Sequence, residues 1–424
     1  MSQHRCRHCG SPLGHTVIDL GHQPPSNAYL SREQLALPEI TYPLQVFVCT
    51  SCWLVQLPAH ASAEELFTAD YAYFSSTSSS WCAHAERFVE AAVARLDLGP
   101  QSLVVELASN DGYLLQYVQQ RGIPCLGIEP TQATAAAARE KGITTIERFF
   151  GVELASDLKQ ADLVVANNVL AHVPDINDFV AGIARMLKPS GRASIEFPHL
   201  LRLLAGNQFD TIYHEHYSYL SLKVVQLIAA ARRLEVVDVE QLATHGGSLR
   251  VWLAYGGTAQ PTAAVAEVLA LEAEAGLESI EAYAGFQQRA EAAKHGLLEF
   301  LLQAKRQGKR VLGYGAAAKG NTLLNYAGIS SDLLAAVADR ATSKQNKYLP
   351  GSHIPVISPE QLAAQKADAL LVLPWNLIEE LREHLAGIEL VTAIPELQHW
   401  AGYRGDVHKV DSRRLNEKPM ITEM

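Results

Sequence analysis

The chain has 424 residues, 48% of them hydrophobic and 19% charged, enough for two or three domains with cores of their own. With 45 acidic against 35 basic residues the formal net charge is −10, which argues against a nucleic-acid partner, whose phosphates demand a basic face. No stretch approaches the roughly 18 apolar residues of a membrane span, and Met1–Cys6 lacks a charged-then-apolar signal pattern, so a cytoplasmic protein with no membrane partner is expected.

Four cysteines fall in two pairs, Cys6-Arg-His-Cys9 and Cys49-Thr-Ser-Cys52. Paired CxxC knuckles in a chain without a signal peptide predict a tetrahedral zinc ion on Cys6, Cys9, Cys49 and Cys52. Four protein ligands leave no open position for chemistry, so the ion is structural; a redox dithiol is the competing reading. The separation between the knuckles requires an inserted hairpin, and the apolar run 44–48 suits the strand entering the second. Cys82 and Cys125 stand alone and read as packing residues. Next comes a hydroxyl-rich stretch, 71–81, whose aromatics Tyr71, Tyr73, Phe74 and Trp81 suit a lid over a ligand better than a linker.

From Ser102 the pattern changes to alternating strands and helices. A helix is predicted over about 83–96, strands over 102–108, 125–129, 161–166 and 192–197, and helices over 131–140 and up to Leu187, with a turn at 188–191. Strands separated by helices at this spacing imply a doubly wound parallel sheet. The turn Glu106-Leu-Ala-Ser109-Asn110-Asp111-Gly112 follows the first strand, and Glu129 ends the second, an arrangement that suits a nucleoside at the carboxyl edge. Without the three glycines that let a backbone approach a pyrophosphate, an adenosyl cofactor lacking phosphates fits better than a nicotinamide one.

The segment Phe209-Asp-Thr-Ile-Tyr213-His214-Glu215-His216-Tyr217 concentrates proton donors and acceptors beyond anything a core requires. Two imidazoles flank a carboxylate, with a phenol three residues before the second, a set of parts for proton transfer. A metal held by His214, Glu215 and His216 is disfavoured, because neighbours on a strand point to opposite faces. Further on, a helix is expected over 221–236, a strand over 245–254 and a long helical zone over 262–307. A second α/β start then appears at Lys309, with Gly313-Tyr-Gly315 opening a helix and Lys319 and Asn321 suited to a phosphate at its N-terminus. Strands at 334–339 and 368–375 complete that domain.

With these blocks in order from about residue 4 to 400, the chain resembles the sugar C-methyltransferases that use S-adenosylmethionine. The Tyr-His-Glu-His block and Gly313-Tyr-Gly-Ala-Ala-Ala-Lys-Gly-Asn321 are its most specific pieces; Asn168-Val-Leu-Ala-His172-Val-Pro-Asp175 and His245-Gly-Gly-Ser-Leu-Arg250 also match. The resemblance implies an α/β chain: an N-terminal zinc-binding module (1–65), a central class I methyltransferase domain on a doubly wound sheet (66–260), a helical connector (261–308), a C-terminal Rossmann-like nucleotide-sugar-binding domain (309–405) and a polar tail (406–424). It implies methyl transfer to a carbon beside the ketone of a nucleotide-linked, dTDP-type 4-keto-6-deoxysugar, C3 favoured, with C5 or an oxygen as alternatives. His216 is then the general base with Tyr213 its rival or partner, Glu215 orients an imidazole or binds a hydroxyl, and His172 donates to the oxyanion. S-adenosylmethionine would lie against Tyr71, Glu106, Ser109, Asn110, Asp111, Gly112, Glu129, Asn167 and Asn168. The nucleotide sugar would meet Tyr73, Arg250, Tyr314, Lys319, Asn321, Asp339 and Arg340. A monomer is expected, and a zinc-ribbon nucleic-acid binder is the reading from another class.

Overall fold

The computed structural model describes residues 4–66, 74–385 and 387–401. The zinc module begins with strands β1 (His15–Gln23), β2 (Tyr42–Val48) and β3 (Val55–Gln56), paired antiparallel in that order. β2 contains the run expected before the second knuckle. β1 escapes sequence reading because its polar residues and two bulges break the period-2 alternation that marks a half-buried strand.

The central sheet takes β4 (Val104–Leu107), β5 (Cys125–Ile128), β6 (Thr145–Ile146), β7 (Ala161–Asn167) and β8 (Leu187–Pro198). A short strand, β9 (Ser218–Tyr219), leaves to pair with β3 of the zinc module, and β10 (Leu234–Leu242) and β11 (Ser248–Tyr255) return to complete seven strands. Their spatial order is β10-β11-β8-β7-β4-β5-β6, with β11 antiparallel to both neighbours and the other pairings parallel. Strand order reverses beside β4, so the carboxyl ends of β4 and β7 open the crevice where open α/β sheets bind ligands.

The third sheet runs β14 (Val356–Ile357), β13 (Val337–Ala338), β12 (Val311–Tyr314), β15 (Ala369–Val372), β16 (Glu389–Thr392) and β17 (Gln398–Trp400) in space, parallel but for β17. This is the Rossmann-like order, with its own switch point at β12. The N-terminal and C-terminal units share a core: Ile18, Leu44 and Val46 pack in one cluster with Phe286, Leu297, Leu323 and Val337. No helix among the described residues is long and apolar enough to cross a membrane.

Three local expectations need correction. The helix predicted over 221–236 ends at Ala230, and Leu234 already belongs to β10. Arg233 at φ 60° breaks the helical path, and the β-branched Val236, Val237 and Val239 favour the strand. The helical zone 262–307 is two helices, Ala263–Glu274 and Phe286–Arg306, parted by Gly276 and Gly285 at positive φ. Residues 188–191 form no separate turn but a bulge inside β8, where Leu187 pairs with Ala161 and Arg192 with Leu163.

Candidate active site

The acid–base segment is a clamped turn rather than a strand. Phe209 and Ile212, both almost wholly buried, anchor its start in the core, and β9 pins its end to the zinc module. Between them His216 N–H donates to the Tyr213 carbonyl at 2.9 Å, which places the two rings side by side with centroids 4.0 Å apart. Three distant parts of the chain hold it. Thr322 Oγ1 donates to the Ile212 carbonyl at 2.8 Å, Trp375 Nε1 donates to Asp210 Oδ2 at 2.7 Å, and Asn27 Nδ2 donates to both Glu215 oxygens at 2.8 and 2.9 Å. The Glu215 carboxylate is thus held by a zinc-module amide. His214 turns the other way, toward the Tyr42 carbonyl at 3.3 Å.

A hydrogen bond fixes the proton on His216. His216 Nδ1 lies 2.7 Å from the Thr211 carbonyl, an acceptor only, so Nδ1 carries the proton and Nε2 presents a lone pair. The His172 ring stands edge-on to that of His216, with centroids 4.5 Å apart. Burial, then the neighbouring His172, holds His216 well below the ordinary imidazole range. Burial likewise lowers His172, His214 and His245 to about 4.

Those depressed values carry a sign. The four imidazoles stay neutral when folded, whereas in the unfolded chain they protonate near 6.5. As the pH falls from 6.5 toward 4 the unfolded state gains protons that the folded state refuses, so stability falls. Asp210 opposes this, because burial raises it to about 6 and its stabilising proton binds as the pH drops. The lowered histidines outnumber the raised carboxyls Asp210 and Glu106, so the net effect is a loss of stability as the pH falls from 6.5. Urea unfolding at pH 7, 6 and 5 should show this loss; a flat profile would refute the neutral imidazoles.

The carboxyl ends of β4, β5 and β7 form a second group of predicted residues. Ala108, Asn110 and Asn168 take left-handed backbone at φ 53°, 50° and 53°, conformations that collect at functional sites. Gly112 has φ 76°, and a Cβ there would collide with Ile143 Cδ1. Asn167 is buried with both amide atoms lacking a hydrogen-bond partner, as is Ser109 Oγ, and Asn168 Oδ1 has none. Such orphaned polar atoms at a strand-end crevice fit a polar nucleoside ligand. Desolvation pushes the fully buried Glu106 carboxyl well above the usual carboxylate range.

Two acids there differ from expectation. Glu129 already accepts the Asn110 N–H at 2.9 Å, the Thr131 N–H at 2.9 Å and the Thr131 hydroxyl. With about four acceptor sites on a carboxylate, little capacity remains for a pair of ribose hydroxyls. Asp111 bonds the Ser76 hydroxyl and lies 3.3 Å from Lys141 Nζ, while Asn110 Oδ1 accepts the Ser75 N–H at 2.9 Å. The described end of the expected lid is therefore fastened to the donor turn. Tyr71 and Tyr73 lie outside the described residues.

Several residues assigned to the nucleotide sugar are engaged elsewhere. Arg250 is buried between Glu196 at 2.8 Å and Glu240 at 3.1 Å, its cross-strand neighbours, and approaches His84 Nε2 at 3.0 Å. Burial raises Glu196, but His84 and Arg250 outweigh it and hold the carboxyl below its usual range. A guanidinium so paired is no phosphate anchor. Asn321 donates to the Ser26 carbonyl at 2.6 Å and fastens the zinc module. Asp339 accepts the Ala316 N–H at 2.7 Å and the Ala341 N–H at 2.8 Å, bracing the glycine turn from below. Tyr314 packs in a core cluster, its phenol raised by burial against the pull of Arg340. Lys319 alone of this group joins the acid–base segment: its ammonium donates to Asn376 Oδ1 at 2.7 Å and lies 4.8 Å over the Trp375 ring, the same indole that holds Asp210.

Sequence reasoning gave no role to His245, Trp375 or Asn27. His245 sits at φ 56°, its Nε2 3.5 Å from Asn168 Nδ2 and its ring 5.1 Å from Trp81. A signal did exist for it. A Cβ on Gly246 would meet Trp375 Cη2 at 2.6 Å and one on Gly247 would meet Arg202 Cγ at 2.6 Å, so the Gly-Gly pair after His245 marks a close approach.

The cysteine pairs come together as expected. The sulfurs of Cys6, Cys9, Cys49 and Cys52 all lie within 4.8 Å of one another, with Cys6–Cys52 and Cys9–Cys49 at 3.5 Å. A tetrahedral Zn–S distance of roughly 2.3 Å implies sulfur separations of about 3.8 Å, so the set fits structural zinc. Among the described residues no other group of three or more His, Cys, Asp and Glu side chains gathers closely enough to hold a metal ion.

Comparison with known proteins gives a consistent result. Family models match in three pieces, a zinc binding domain over residues 6–67, a methyltransferase domain over 81–239 and a C-methyltransferase C-terminal domain over 243–395. The chain is 36% identical over 401 residues to the C-methyltransferase NovU of Streptomyces niveus, covering 92% of this chain and 95% of that protein. A ubiquinone biosynthesis O-methyltransferase of Rhodopseudomonas palustris is 29% identical over 113 residues, 24% of this chain and 45% of its own length. Among solved structures, an S-adenosylmethionine-dependent methyltransferase from Clostridium acetobutylicum aligns at 13% identity with a TM-score of 0.34, covering 41% of this chain and 91% of that one.

Proposed function

This chain belongs to the family of C-methyltransferases that use S-adenosylmethionine, and on that premise we propose that it methylates the ring carbon beside the ketone, C3, of a nucleotide-linked 4-keto-6-deoxysugar. The observation that carries the reading is the His216 tautomer. Its Nδ1–H is held by the Thr211 carbonyl, which leaves the Nε2 lone pair free on a ring packed beside Tyr213 and His172. A carbon acid needs such a base, whereas an alcohol acceptor needs much less assistance. Bound S-adenosylmethionine would supply an electrophilic methyl group on a sulfonium, and Asn167, Asn168 and the 108–112 turn are the residues that would hold it.

The chain's own groups then have divided tasks. His216 takes the proton, Tyr213 lies against its ring to orient it, and Glu215 and Asp210 are struts that hold the turn to the zinc module and the C-terminal domain. A dTDP-type nucleotide suits the C-terminal sheet edge at Gly315, and a thiolate zinc module suits the reducing cytoplasm. Incubation with methyl-labelled S-adenosylmethionine and a panel of dTDP-4-keto-6-deoxysugars tests this. Label should enter the sugar as a C-methyl at C3 by NMR. Label at C5 or on oxygen would move the acceptor atom, and no label in any sugar would sink the substrate class.

A further inference from the structure

We propose that the Lys319 ammonium stabilises the enolate oxygen during deprotonation, so that the C-terminal domain takes part in the chemical step itself. The inference rests on the keto-sugar reading above. When the C–H bond beside the ketone breaks, its electron pair becomes the new C=C bond, the carbonyl pair moves onto oxygen, and the proton goes to His216 Nε2. The nascent oxyanion then needs a donor, and in low dielectric that donor supplies much of the rate. His216 itself cannot serve, because its Nδ1–H goes to the Thr211 carbonyl at 2.7 Å. A neutral imidazole such as His172 is also a weaker donor to an oxyanion than a cation is.

Lys319 meets the need through one contiguous set of contacts. Its ammonium lies over the Trp375 ring; Trp375 Nε1 holds Asp210; and Thr211, the next residue, holds His216. Trp375 also packs on Gly246, next to His245, whose ring reaches Asn168 at the donor edge. Lys319 therefore stands where the acid–base segment, the donor edge and the C-terminal domain meet. Of three ammonium N–H groups one goes to neutral Asn376, and among the described residues none pairs with a carboxylate. Asp210, held by the same indole, attracts the ammonium without an ion-pair contact, so N–H groups remain for an oxyanion that forms during reaction. Its charge is also felt by His216 and His245, consistent with that position. A diphosphate anchor, by contrast, would improve binding equally before and during the reaction.

Solvent exchange separates the two roles. The wild-type protein and Lys319→Met are placed in D2O with a dTDP-4-keto-6-deoxysugar and no methyl donor. Deuterium uptake at the α-carbon is followed at saturating sugar nucleotide, with Kd measured by calorimetry. Loss of one oxyanion donor should slow exchange by about 10²- to 10³-fold while Kd changes less than about threefold. Exchange within threefold of wild type at saturation, with Kd raised tenfold or more, would overturn the proposal in favour of phosphate anchoring. Should Lys319→Met fail to fold, Lys319→Arg decides. Arginine serves a phosphate at least as well as lysine does, so full exchange overturns the proposal, and a loss of tenfold or more with Kd retained supports it. If the wild type itself exchanges nothing, the keto-sugar reading falls, and this proposal with it.

Discussion

Cys49→Ser should leave the protein without stoichiometric zinc and largely unfolded, with methyl transfer lost through misfolding rather than chemistry. Structural zinc contributes apparent free energies on the order of 10–16 kcal/mol in small zinc modules. That is as large as the whole net stability of a typical domain, about 5–15 kcal/mol. Here the loss would travel. Cys49 and Cys52 are buried in a cluster with Phe47, Leu54, Ile176 and Phe179, so the metal site and the central domain share a core. The first knuckle is also tied down by Asn177, whose amide donates to the His8 carbonyl at 2.8 Å, and by Arg7, which reaches the Pro174 carbonyl at 2.7 Å. Pro174 lies two residues from His172, and β3 of the same module pairs with β9, two residues after His216. Loosening the knuckles therefore releases both sides of the facing imidazoles. Zinc content by atomic emission and thermal unfolding measure the effect, and a chelator should reproduce it on the wild type. A fully folded Cys49→Ser protein, or one sensitive only to thiol oxidants, would restore the redox reading.

The sequence revealed those elements whose physics is local. Buried strands at 104–107, 125–128 and 161–167 stand out as largely apolar runs, and the cysteine ligands as pairs at knuckle spacing. The acid–base segment was visible from composition alone. What holds it was not, because its partners lie far along the chain: Thr322 for Ile212, Trp375 for Asp210, Asn27 for Glu215. Arg250 shows the same limit. Its cross-strand neighbours Glu196 and Glu240 are set by register between β8, β11 and β10, which no spacing rule predicts. A lone arginine after a glycine pair looked like a phosphate ligand because its two carboxylates were out of view. The tautomer of His216 is likewise a tertiary fact, decided by the Thr211 carbonyl its ring meets.

His216→Ala should cost about 10²- to 10⁴-fold in α-carbon exchange and in methyl transfer, the range for removing a positioned general base. Tyr213→Phe should cost less, because that phenol packs against the ring and removing its oxygen leaves the base in place. A silent His216→Ala beside a crippled Tyr213→Phe would exchange their roles. The pH profile sharpens the assignment. A base must be deprotonated to act, and burial keeps His216 deprotonated well below 6.5, so the rate should stay flat through the usual imidazole range. It should fall only in acid, where the buried histidines begin to unfold the protein. A rate that instead halves near 6.5 would mean an exposed, ordinary imidazole. The same depression makes His216 a weak acceptor, since proton-transfer driving force falls with the pKa of the base. An enzyme with so weak a base must acidify the carbon instead, by stabilising the oxygen that receives the electrons. The desolvation that weakens His216 also strengthens any charge facing that oxygen. His216→Ala and Lys319→Met therefore act on one transition state, and combining them should cost less than the product of the two separate losses.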